Sequence, residues 1–348
     1  MMQLLRRALG VGLLLLAAVW ATPAAYAQDP SGQLEVRFLD VGQADAILVR
    51  CPDGSHYLLI DSGDTRYPGS SKAFRQALLD EFRDRPKKLA LVVASHPHAD
   101  HIGSMQWVLE TFDVEVYVDN GQKFDSALWA KLDKVRRRQV SDAEITYVAG
   151  KKTGFADLAF CPQVGVRLLV PWAVRELSNT NDRSVVVSLT YGKTSFLFGG
   201  DAEGHAEEVM VNDFEPGERE HLRVMVLKAG HHGSDTSSTL PFIAAVNPKT
   251  VVVSSGKKEV GTNARYKHPR HSTMQNYNNW LRNHDEGEPS SQPGRVWAYD
   301  KPGKRWRQIE RRRGLWVTPE DGTVVMLSDG EKIEIRTEKT GAQVSVSP

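Results

Sequence analysis

A dense cluster of metal-competent side chains follows an apolar segment in the first third of the chain. The segment at 89–94 reads LALVVA, which predicts a buried β-strand. His96, His98, Asp100 and His101 come directly after it, within six positions. Strand ends are where a rigid scaffold meets the loops that carry function. We therefore expect a fold that brings these imidazoles and this carboxylate to one edge of a sheet.

The residue types in this cluster indicate a site for two divalent metal ions. The alternating His96 and His98 can present imidazoles to one ion, and Asp100 and His101 can turn towards a second. Mixed histidine and carboxylate sets bind zinc, iron or manganese. Paired ions about 3.5–4 Å apart hold both the attacking and the leaving oxygen in hydrolysis. A solvated polar turn is the alternative, and it does not account for so many ligand types in so short a stretch.

Two later apolar strands also end at metal-competent residues. Asp201 follows SFLFGG, and the pair His231-His232 follows VMVLKAG. Gly230 and Gly233 flank the pair and allow the backbone to approach a bound group closely. Taken alone, Asp201 can be a helix cap and the histidine pair can be exposed. Three strand ends of this kind favour one shared site.

The order of strands and helices predicts an α/β protein. Apolar strands within 34–60 precede a helical pattern and the strand at 89–94, and strands within 164–200 are again followed by helices. Two such rounds predict two sheets packed face to face with helices outside, a four-layer αβ/βα sandwich. With 348 residues, of which 41% are hydrophobic, the chain can bury the core that this fold needs.

The beginning of the chain has the pattern of a secretory signal peptide. Arg6 and Arg7 precede an apolar run at 8–20, and the small residues AYA end at Ala27. We predict that residues 1–27 are removed and that the protein is periplasmic or secreted. A membrane anchor is the alternative, but the run is short for one, since spanning takes about 20 residues. We expect no membrane span in the mature chain.

The remainder divides into one predicted hydrolase domain and a C-terminal segment. We place the domain at 28–283, a linker-like loop at 284–294 and further strands at 295–348. So short a segment makes a marginal independent core, so we expect it to complete the same domain by extending the second sheet. Cys51 and Cys161 are too few for a disulfide scaffold, and the sequence leaves open whether they pair.

The sequence resembles the metallo-β-lactamase-fold hydrolases. The spacing His-x-His-x-Asp-His looks like their signature, and the surrounding blocks resemble one branch, the hydrolase domain of ComEC-type competence proteins and its free-standing, exported relatives. These blocks are FLDVGQADAILV (38–49), LIDSGD (59–64), SVVVSLTYGKTSFLFGGDAE (184–203), LKAGHHGSDTSS (227–238) and KHP (267–269). The resemblance implies the αβ/βα sandwich with two divalent ions, zinc or manganese, at its rim.

The resemblance also implies a role for each matching residue. The implied metal ligands are His96, His98, Asp100, His101, Asp201 and His231, with Asp201 bridging. The choice between His231 and His232 stays open; we favour His231 as the ligand and its neighbour as a substrate contact. The implied catalytic residues are Asp100, His232 and Asp45, and the residues expected near the metals or the substrate are Asp40, Gln43, Asp61, Asn181, Ser184, Lys228, Ser234 and His268.

The chain departs from many members of the family at one point. Between His101 and Asp201 it has no histidine, whereas a further metal-binding histidine is common there. We therefore expect the first metal to have fewer protein ligands, which argues against lactam hydrolysis. Fewer imidazoles also favour oxygen-preferring cations such as manganese.

The combined features predict an exported metal-dependent phosphodiesterase that acts on DNA or another nucleic acid. Helices that follow His101 and Asp201 would direct their N-termini at the site, which favours an anionic substrate. A net charge of +1 decides nothing about the partner. The basic stretch at 304–313, with tryptophans nearby, can grip a phosphate backbone or can protect a strand edge. The alternatives are an esterase of envelope phosphodiesters such as phosphocholine-bearing polymers, a β-lactamase, and a non-catalytic binding protein.

Overall fold

The computed structural model describes residues 32–142, 145–150, 154–283 and 294–348. The predicted signal peptide at 1–27 and residues 284–293 of the predicted linker-like loop at 284–294 lie outside these ranges. Within the described part, no helix has both the length and the apolar character needed to cross a bilayer.

The first sheet has nine strands among the described residues, in the order β18-β17-β16-β1-β2-β3-β4-β5-β6. Strands β3 to β6 run parallel, and the other neighbours are antiparallel. The bounds are β1 Leu34–Phe38, β2 Ile47–Arg50, β3 Tyr57–Ile60, β4 Lys88–Val93, β5 Asp113–Asp119, β6 Thr146–Ala149, β16 Val324–Ser328, β17 Ile333–Thr337 and β18 Gln343–Val346.

The second sheet has seven strands among the described residues, in the order β15-β12-β11-β10-β9-β8-β7. Strands β10, β11, β12 and β15 run parallel, so their carboxyl ends share one edge. The bounds are β7 Ala156–Cys161, β8 Val164–Leu169, β9 Val186–Tyr191, β10 Thr194–Phe198, β11 Val226–Lys228, β12 Thr250–Val253 and β15 Leu315–Val317, and a separate hairpin joins β13 Arg295–Asp300 to β14 Arg305–Glu310.

Helices cover the outer face of each sheet. The helix bounds are α1 Pro68–Glu81, α2 Ala99–Ile102, α3 Met105–Thr111, α4 Ala127–Ser141, α5 Pro171–Val174, α6 Gly204–Asn212, α7 Pro216–Glu220, α8 Leu240–Val246, α9 Asn263–Tyr266, α10 His271–Asn283 and α11 Thr318–Asp321. Helices α1, α3 and α4 pack on the first sheet, and α6, α8 and α10 pack on the second. The layers therefore confirm the predicted four-layer αβ/βα sandwich.

The period of two in the strands separates the two sides of the first sheet. In β3, Leu58 and Ile60 join the core shared with the second sheet, whereas Leu59 faces the helices with Phe74 and Leu78. Side chains alternate between the faces of a strand, so three successive apolar residues serve two cores. This explains why β3 and β4 read as continuous apolar runs.

The C-terminal strands correct one expectation. Only β15 extends the second sheet, beside β12, whereas β16 pairs with β1 and carries β17 and β18 onto the first sheet. Without β16, β1 would be an edge strand with a row of unpaired backbone groups. The division of the chain into domains stays a prediction.

The disulfide question that the sequence left open is answered by the structure. Cys51 follows β2 in the first sheet, and Cys161 ends β7 in the second. The two form a disulfide, with Cα atoms 6.3 Å apart. The bond therefore links the two halves of the sandwich.

Candidate metal centre

The three strand ends singled out in the sequence meet at one rim of the sandwich. His96 to His101 follow β4 of the first sheet, Asp201 follows β10, and His231-His232 follow β11. The short helix α2 begins at Ala99, inside the cluster, and precedes α3 at Met105. Asp100 and His101 therefore lie on a helical turn, while His98 keeps an extended backbone with φ −70° and ψ 151°.

The carboxylate of Asp201 lies between two pairs of imidazoles. Its Oδ2 is 3.9 Å from Nε2 of His96 and 3.6 Å from Nε2 of His231. Its Oδ1 is 3.2 Å from Nε2 of His101 and 3.6 Å from Nε2 of His232. The two oxygens thus face two separate sets of potential ligands.

The remaining residues of the cluster complete the two sets. Nδ1 of His98 is 3.0 Å from Nε2 of His96, on the Oδ2 side. Oδ2 of Asp100 is 3.8 Å from Nε2 of His232, on the Oδ1 side. Each set therefore brings together several side-chain nitrogen and carboxylate oxygen atoms that could bind one metal ion.

This geometry bears on the expectation that the first metal has fewer protein ligands, which stays a prediction. No histidine lies between the first cluster and Asp201, but His231 approaches the same carboxylate oxygen as His96. The imidazole comes from a later strand because β10 and β11 are parallel neighbours whose ends meet. Both members of the histidine pair face Asp201, so the pair does not divide into one ligand and one distant residue.

Four imidazoles are oriented by a hydrogen bond on the ring nitrogen that faces away from the centre. Nδ1 of His101 is 2.7 Å from Oδ2 of Asp61, and Nδ1 of His232 is 3.1 Å from the carbonyl of Ser254. Nδ1 of His231 is 2.9 Å from Oε1 of Glu203. The remaining ring, that of His96, has Nδ1 beside the hydroxyls of Ser95 and Ser184, at 3.1 and 3.3 Å. Partners of this kind fix the tautomer and the ring direction of metal-binding histidines.

Buried atoms without partners test whether the site fits a metal. Nε2 of His101, Nε2 of His232 and Oδ1 of Asp201 are buried, and none has a hydrogen-bond partner in the described part of the chain. Such atoms are costly in a protein interior unless something pairs with them. A divalent cation would pair with all three, because imidazole nitrogen and carboxylate oxygen are both common ligands of zinc. The donor set therefore fits a metal centre.

Charge coupling across the site points the same way. Burial alone would raise the pKa of Asp201, but the neighbouring His101, His232 and His231 outweigh burial and hold that pKa well below its usual value. Burial lowers the pKa of His96 well below its usual value, so this ring is neutral. Burial alone would lower the pKa of His101 and of His232, but the neighbouring carboxylates raise it, so a cation that binds these two rings would displace their protons.

Backbone geometry at the site depends on glycine. His231 and His232 both have positive φ, 43° and 53°, which non-glycine residues adopt at a cost of order 1–3 kcal/mol. Gly200 has φ 55°, and a Cβ there would lie 2.9 Å from Cβ of Ser95 and 3.0 Å from Cβ of Ser184. These contacts explain why glycine precedes Asp201.

Two predicted residues lie behind the centre rather than in the substrate path. Lys228 is only 1% exposed, pairs with Asp45 and donates to the carbonyl of Gly200 at 2.9 Å. Burial disfavours the charged amine, but Asp45 outweighs burial and raises the pKa of Lys228. Lys228 therefore lies near the centre, with Nζ 4.0 Å from Oδ1 of Asp201, and its role stays a prediction. Asp45 is a buried partner of this lysine and of His232.

Asp40 also lies away from the expected position. Its carboxylate pairs with Lys339 of the C-terminal segment. It lines a small cavity of about 180 Å³ rather than the space above the metal ligands. Gln43, three positions further along the chain, lines both this cavity and the cleft above the metal ligands.

A cleft of about 630 Å³ opens above the metal ligands. The predicted residues that line it are Gln43, His98, Asp100, Asn181, Asp201, His231, His232, Ser234 and His268. Basic and aromatic side chains also line it, namely Arg66, Phe124, Arg265, Tyr266, Arg270 and Lys301, together with the acidic Asp235. Arg66 Nη2 is 3.5 Å from Asp100, and Lys301 Nζ is 3.0 Å from Asp235.

Sequence reasoning missed several of these residues. Glu203 accepts from Asn181 at 3.1 Å and holds His231, although it stands only two positions after Asp201. Its position in the GGDAE block, two residues after a predicted metal ligand, could have indicated that Glu203 lies beside the centre. Arg265 and Tyr266 carry no such signal, because only the folded chain brings them to the cleft.

Comparisons with known proteins agree with this architecture. The family model described as the metallo-beta-lactamase superfamily matches residues 39–257. ComE operon protein 3 of Bacillus subtilis (strain 168) is 29% identical over 257 residues, which are 70% of this chain and 30% of the relative. Competence protein ComA of Neisseria gonorrhoeae is 27% identical over 241 residues, 69% of this chain and 29% of the relative.

The chain thus spans less than a third of the length of these relatives. Among solved structures, Igni18, a novel metallo hydrolase from Ignicoccus hospitalis KIN4/I, matches with 14% identity and a TM-score of 0.39. That match covers 63% of this chain and 81% of Igni18. Since the family model covers more than half of the chain, the protein belongs to the metallo-beta-lactamase superfamily, on the branch similar to the competence proteins.

Proposed function

We propose that the protein is an exported, metal-dependent phosphodiesterase that cleaves DNA or another nucleic acid. One observation carries the proposal: the two oxygens of Asp201 face two different sets of imidazoles. A carboxylate in this position suits two cations at once. Two-metal sites are typical of enzymes that cleave phosphate esters.

Each set of ligands is assigned to one ion. The proposed ligands of the first ion are His96, His98, His231 and Oδ2 of Asp201, and those of the second are Asp100, His101, His232 and Oδ1 of Asp201. Two bound divalent cations, zinc or manganese, would supply an acidified water and polarise a phosphoryl oxygen. His232 is therefore proposed as a ligand in addition to His231.

The chain's own groups would hold the substrate and manage the proton. Asp100 lines the cleft and is the proposed proton acceptor, with Arg66 3.5 Å from its Oδ1. Asn181 and Ser234 lie on the cleft wall and can donate to phosphate oxygens. Asp45, buried against Lys228, keeps a charge-balancing role under the site.

The cleft wall favours a nucleic acid over a lactam. Arg265, Arg270 and Lys301 place cations at the rim, where a phosphate backbone would pass. Phe124 and Tyr266 offer aromatic faces, on which bases stack without sequence preference. A neutral lactam needs none of these groups.

Two features support export. The sequence at 1–27 has the three-part pattern of a signal peptide. The Cys51–Cys161 disulfide suits an oxidising compartment, since cytosolic thiols are kept reduced. Expression of the full chain in a bacterium, followed by fractionation and N-terminal sequencing, tests this. We expect a periplasmic or secreted product that begins at Gln28; a product that retains Met1 contradicts export.

Metal content and substrate range test the activity. The purified protein is analysed for bound metal and assayed with bis-p-nitrophenyl phosphate, p-nitrophenylphosphocholine, DNA and nitrocefin. Asp201→Ala removes the bridging carboxylate, and Asp84→Ala, at an exposed position, is the matched control. We expect two metal ions per chain and cleavage of diester and DNA, both lost in Asp201→Ala only. Nitrocefin turnover without diester cleavage contradicts the proposal.

A further inference from the structure

A buried glutamine contacts a histidine of the cleft wall that lies outside both ligand sets. Gln43 and His268 are each 4% exposed, and Nε2 of Gln43 lies 3.2 Å from Nδ1 of His268. The ring of His268 lines the cleft, with its centroid 5.2 Å from that of His231. His268 is therefore adjacent to the proposed metal ligands.

The orientation of the Gln43 amide is fixed by a backbone group. The N–H of Gly256 can only donate, and it lies 3.0 Å from Oε1 of Gln43. The amide oxygen must therefore face Gly256, and the NH₂ group must face His268. A Cβ at position 256 would lie 3.0 Å from Cβ of Gln43, so the close approach requires glycine.

The amide in turn fixes the proton on the imidazole. Because the Gln43 NH₂ group donates, Nδ1 of His268 accepts and carries no hydrogen. A neutral ring then holds its proton on Nε2. No described residue forms a hydrogen bond with Nε2, so this N–H is available to a molecule in the cleft.

The backbone of His268 is held as firmly as its ring. Asn263 accepts from the His268 N–H at 2.7 Å and donates to the His268 carbonyl at 2.7 Å. Asn263 is itself buried and also donates to the Gly256 carbonyl at 2.6 Å. The segment at 256–268 therefore fixes both the Gln43 amide, through Gly256, and the His268 backbone, through Asn263.

From these hydrogen bonds we propose that Gln43 is a positioning residue. It holds His268 as a neutral ring that donates its Nε2–H to the phosphoryl oxygen of the bound substrate. The inference rests on the proposed function. A preorganised donor aimed at developing negative charge is worth about 10²–10³ in kcat. No proton is transferred: the N–H of His268 only strengthens its hydrogen bond as the phosphoryl oxygen gains charge.

Substitutions at His268 separate a donor at Nε2 from a structural ring. A glutamine places its amide NH₂ near the position of Nε2, whereas an asparagine places it near Nδ1. We expect His268→Asn to lower kcat for bis-p-nitrophenyl phosphate about 100-fold, and His268→Gln to recover at least tenfold of that loss. Bound metal should stay at the wild-type level in both variants.

The hydrogen bond from Gln43 to His268 is tested with Gln43→Glu. The carboxylate can still accept from Gly256 but cannot donate to His268, so the neutral ring should move its proton to Nδ1. We expect kcat to fall at least tenfold at unchanged metal content. Gln139→Glu is the matched control, because Gln139 is also buried and donates through Nε2, to the carbonyl of Leu109. The control should lose stability but keep kcat.

A tautomer measurement gives a readout that is independent of activity. Long-range ¹H–¹⁵N correlation spectra of the zinc-loaded protein identify the His268 signals as those missing in His268→Gln. We expect protonation at Nε2 in the wild type and at Nδ1 in Gln43→Glu. A wild-type ring protonated at Nδ1 overturns this inference, and so do equal losses of kcat in His268→Gln and His268→Asn. If the wild type is active in that case, the proposed function still stands. A wild type without phosphodiesterase activity overturns the proposed function instead.

Discussion

The carboxylate of Glu203 lies 2.9 Å from Nδ1 of His231 and turns the opposite ring nitrogen towards Asp201. Glu203 also accepts from Thr236 at 2.8 Å and from Asn181 at 3.1 Å, so its own position is fixed. Burial would raise the pKa of Glu203, but the hydrogen bonds from these neighbours outweigh burial and lower it. The residue is therefore an anion that orients a proposed metal ligand.

We expect Glu203→Gln to weaken binding of one metal ion by about 10–100-fold, the usual effect of losing a partner of a metal-binding histidine. Competition with a fluorescent zinc chelator measures the affinity of each site. Glu208→Gln, at an exposed position of α6, the helix that follows Glu203, is the control, since Glu208 contacts only Arg175 at 3.3 Å among its described ion pairs. Equal affinities in both variants would show that Glu203 does not orient a ligand.

The sequence was sufficient to predict the fold and the meeting of three strand ends, for physical reasons. Continuous apolar runs followed by His, Asp or Gly residues indicate buried strands that end at a functional loop. In the structure the ends of β4, β10 and β11 do meet. The sequence left open the choice between His231 and His232 as the ligand, because that choice depends on where β11 ends relative to His96 and Asp201. Nothing in the local pattern distinguishes the two rings.

The pairing of the C-terminal strands was also beyond the sequence. The segment at 324–328 reads equally well as an edge of either sheet, and only its register with Leu34–Phe38 decides. The bond between Cys51 and Cys161 likewise depends on a contact across 110 residues. Local patterns predict elements, whereas such contacts follow from the packing of the whole sandwich.

The disulfide should contribute measurably to stability. It closes a loop of 110 residues, and in the chain-entropy model removing such a bond costs about 2–5 kcal/mol of unfolding free energy. We expect the double variant Cys51→Ser/Cys161→Ser to show a loss of this size in urea titrations. A reductant should lower the stability of the wild type and leave the double variant unchanged. Equal stability of the oxidised wild type and the variant would contradict a stabilising bond.

Glu207 should make stability depend on pH. Burial raises the pKa of this carboxyl to about 7, although the N–H groups of Ser238 and Thr239 donate to it and favour the ion. A raised pKa means that the folded state holds the proton more tightly than the unfolded state does. The contribution of Glu207 is therefore full below about pH 4.5 and is lost as the pH rises through about 7.

Glu207→Gln should flatten this part of the stability profile. We expect the difference in unfolding free energy between pH 5 and pH 8 to change by about 1–3 kcal/mol relative to the wild type. Urea titrations at both values measure it. Glu208→Gln, one position along the helix, should keep the wild-type slope. If the two variants have the same profile, Glu207 does not titrate in this range.

The rim cations should matter for a polymer and not for a small diester. Arg265 is exposed and stands over the ring of Tyr266, with its guanidinium carbon 5.9 Å from the centroid, and Lys301, which pairs with Asp235, also lines the cleft. We expect Arg265→Glu/Lys301→Glu to weaken DNA binding at least tenfold and to lower the slope of log K against log salt by about 1–2. Turnover of bis-p-nitrophenyl phosphate should change less than threefold. Lys131→Glu, at an exposed position of α4, should leave both quantities unchanged. Parallel losses on the diester and on DNA would place these cations in the catalytic machinery instead of along the path of a nucleic acid.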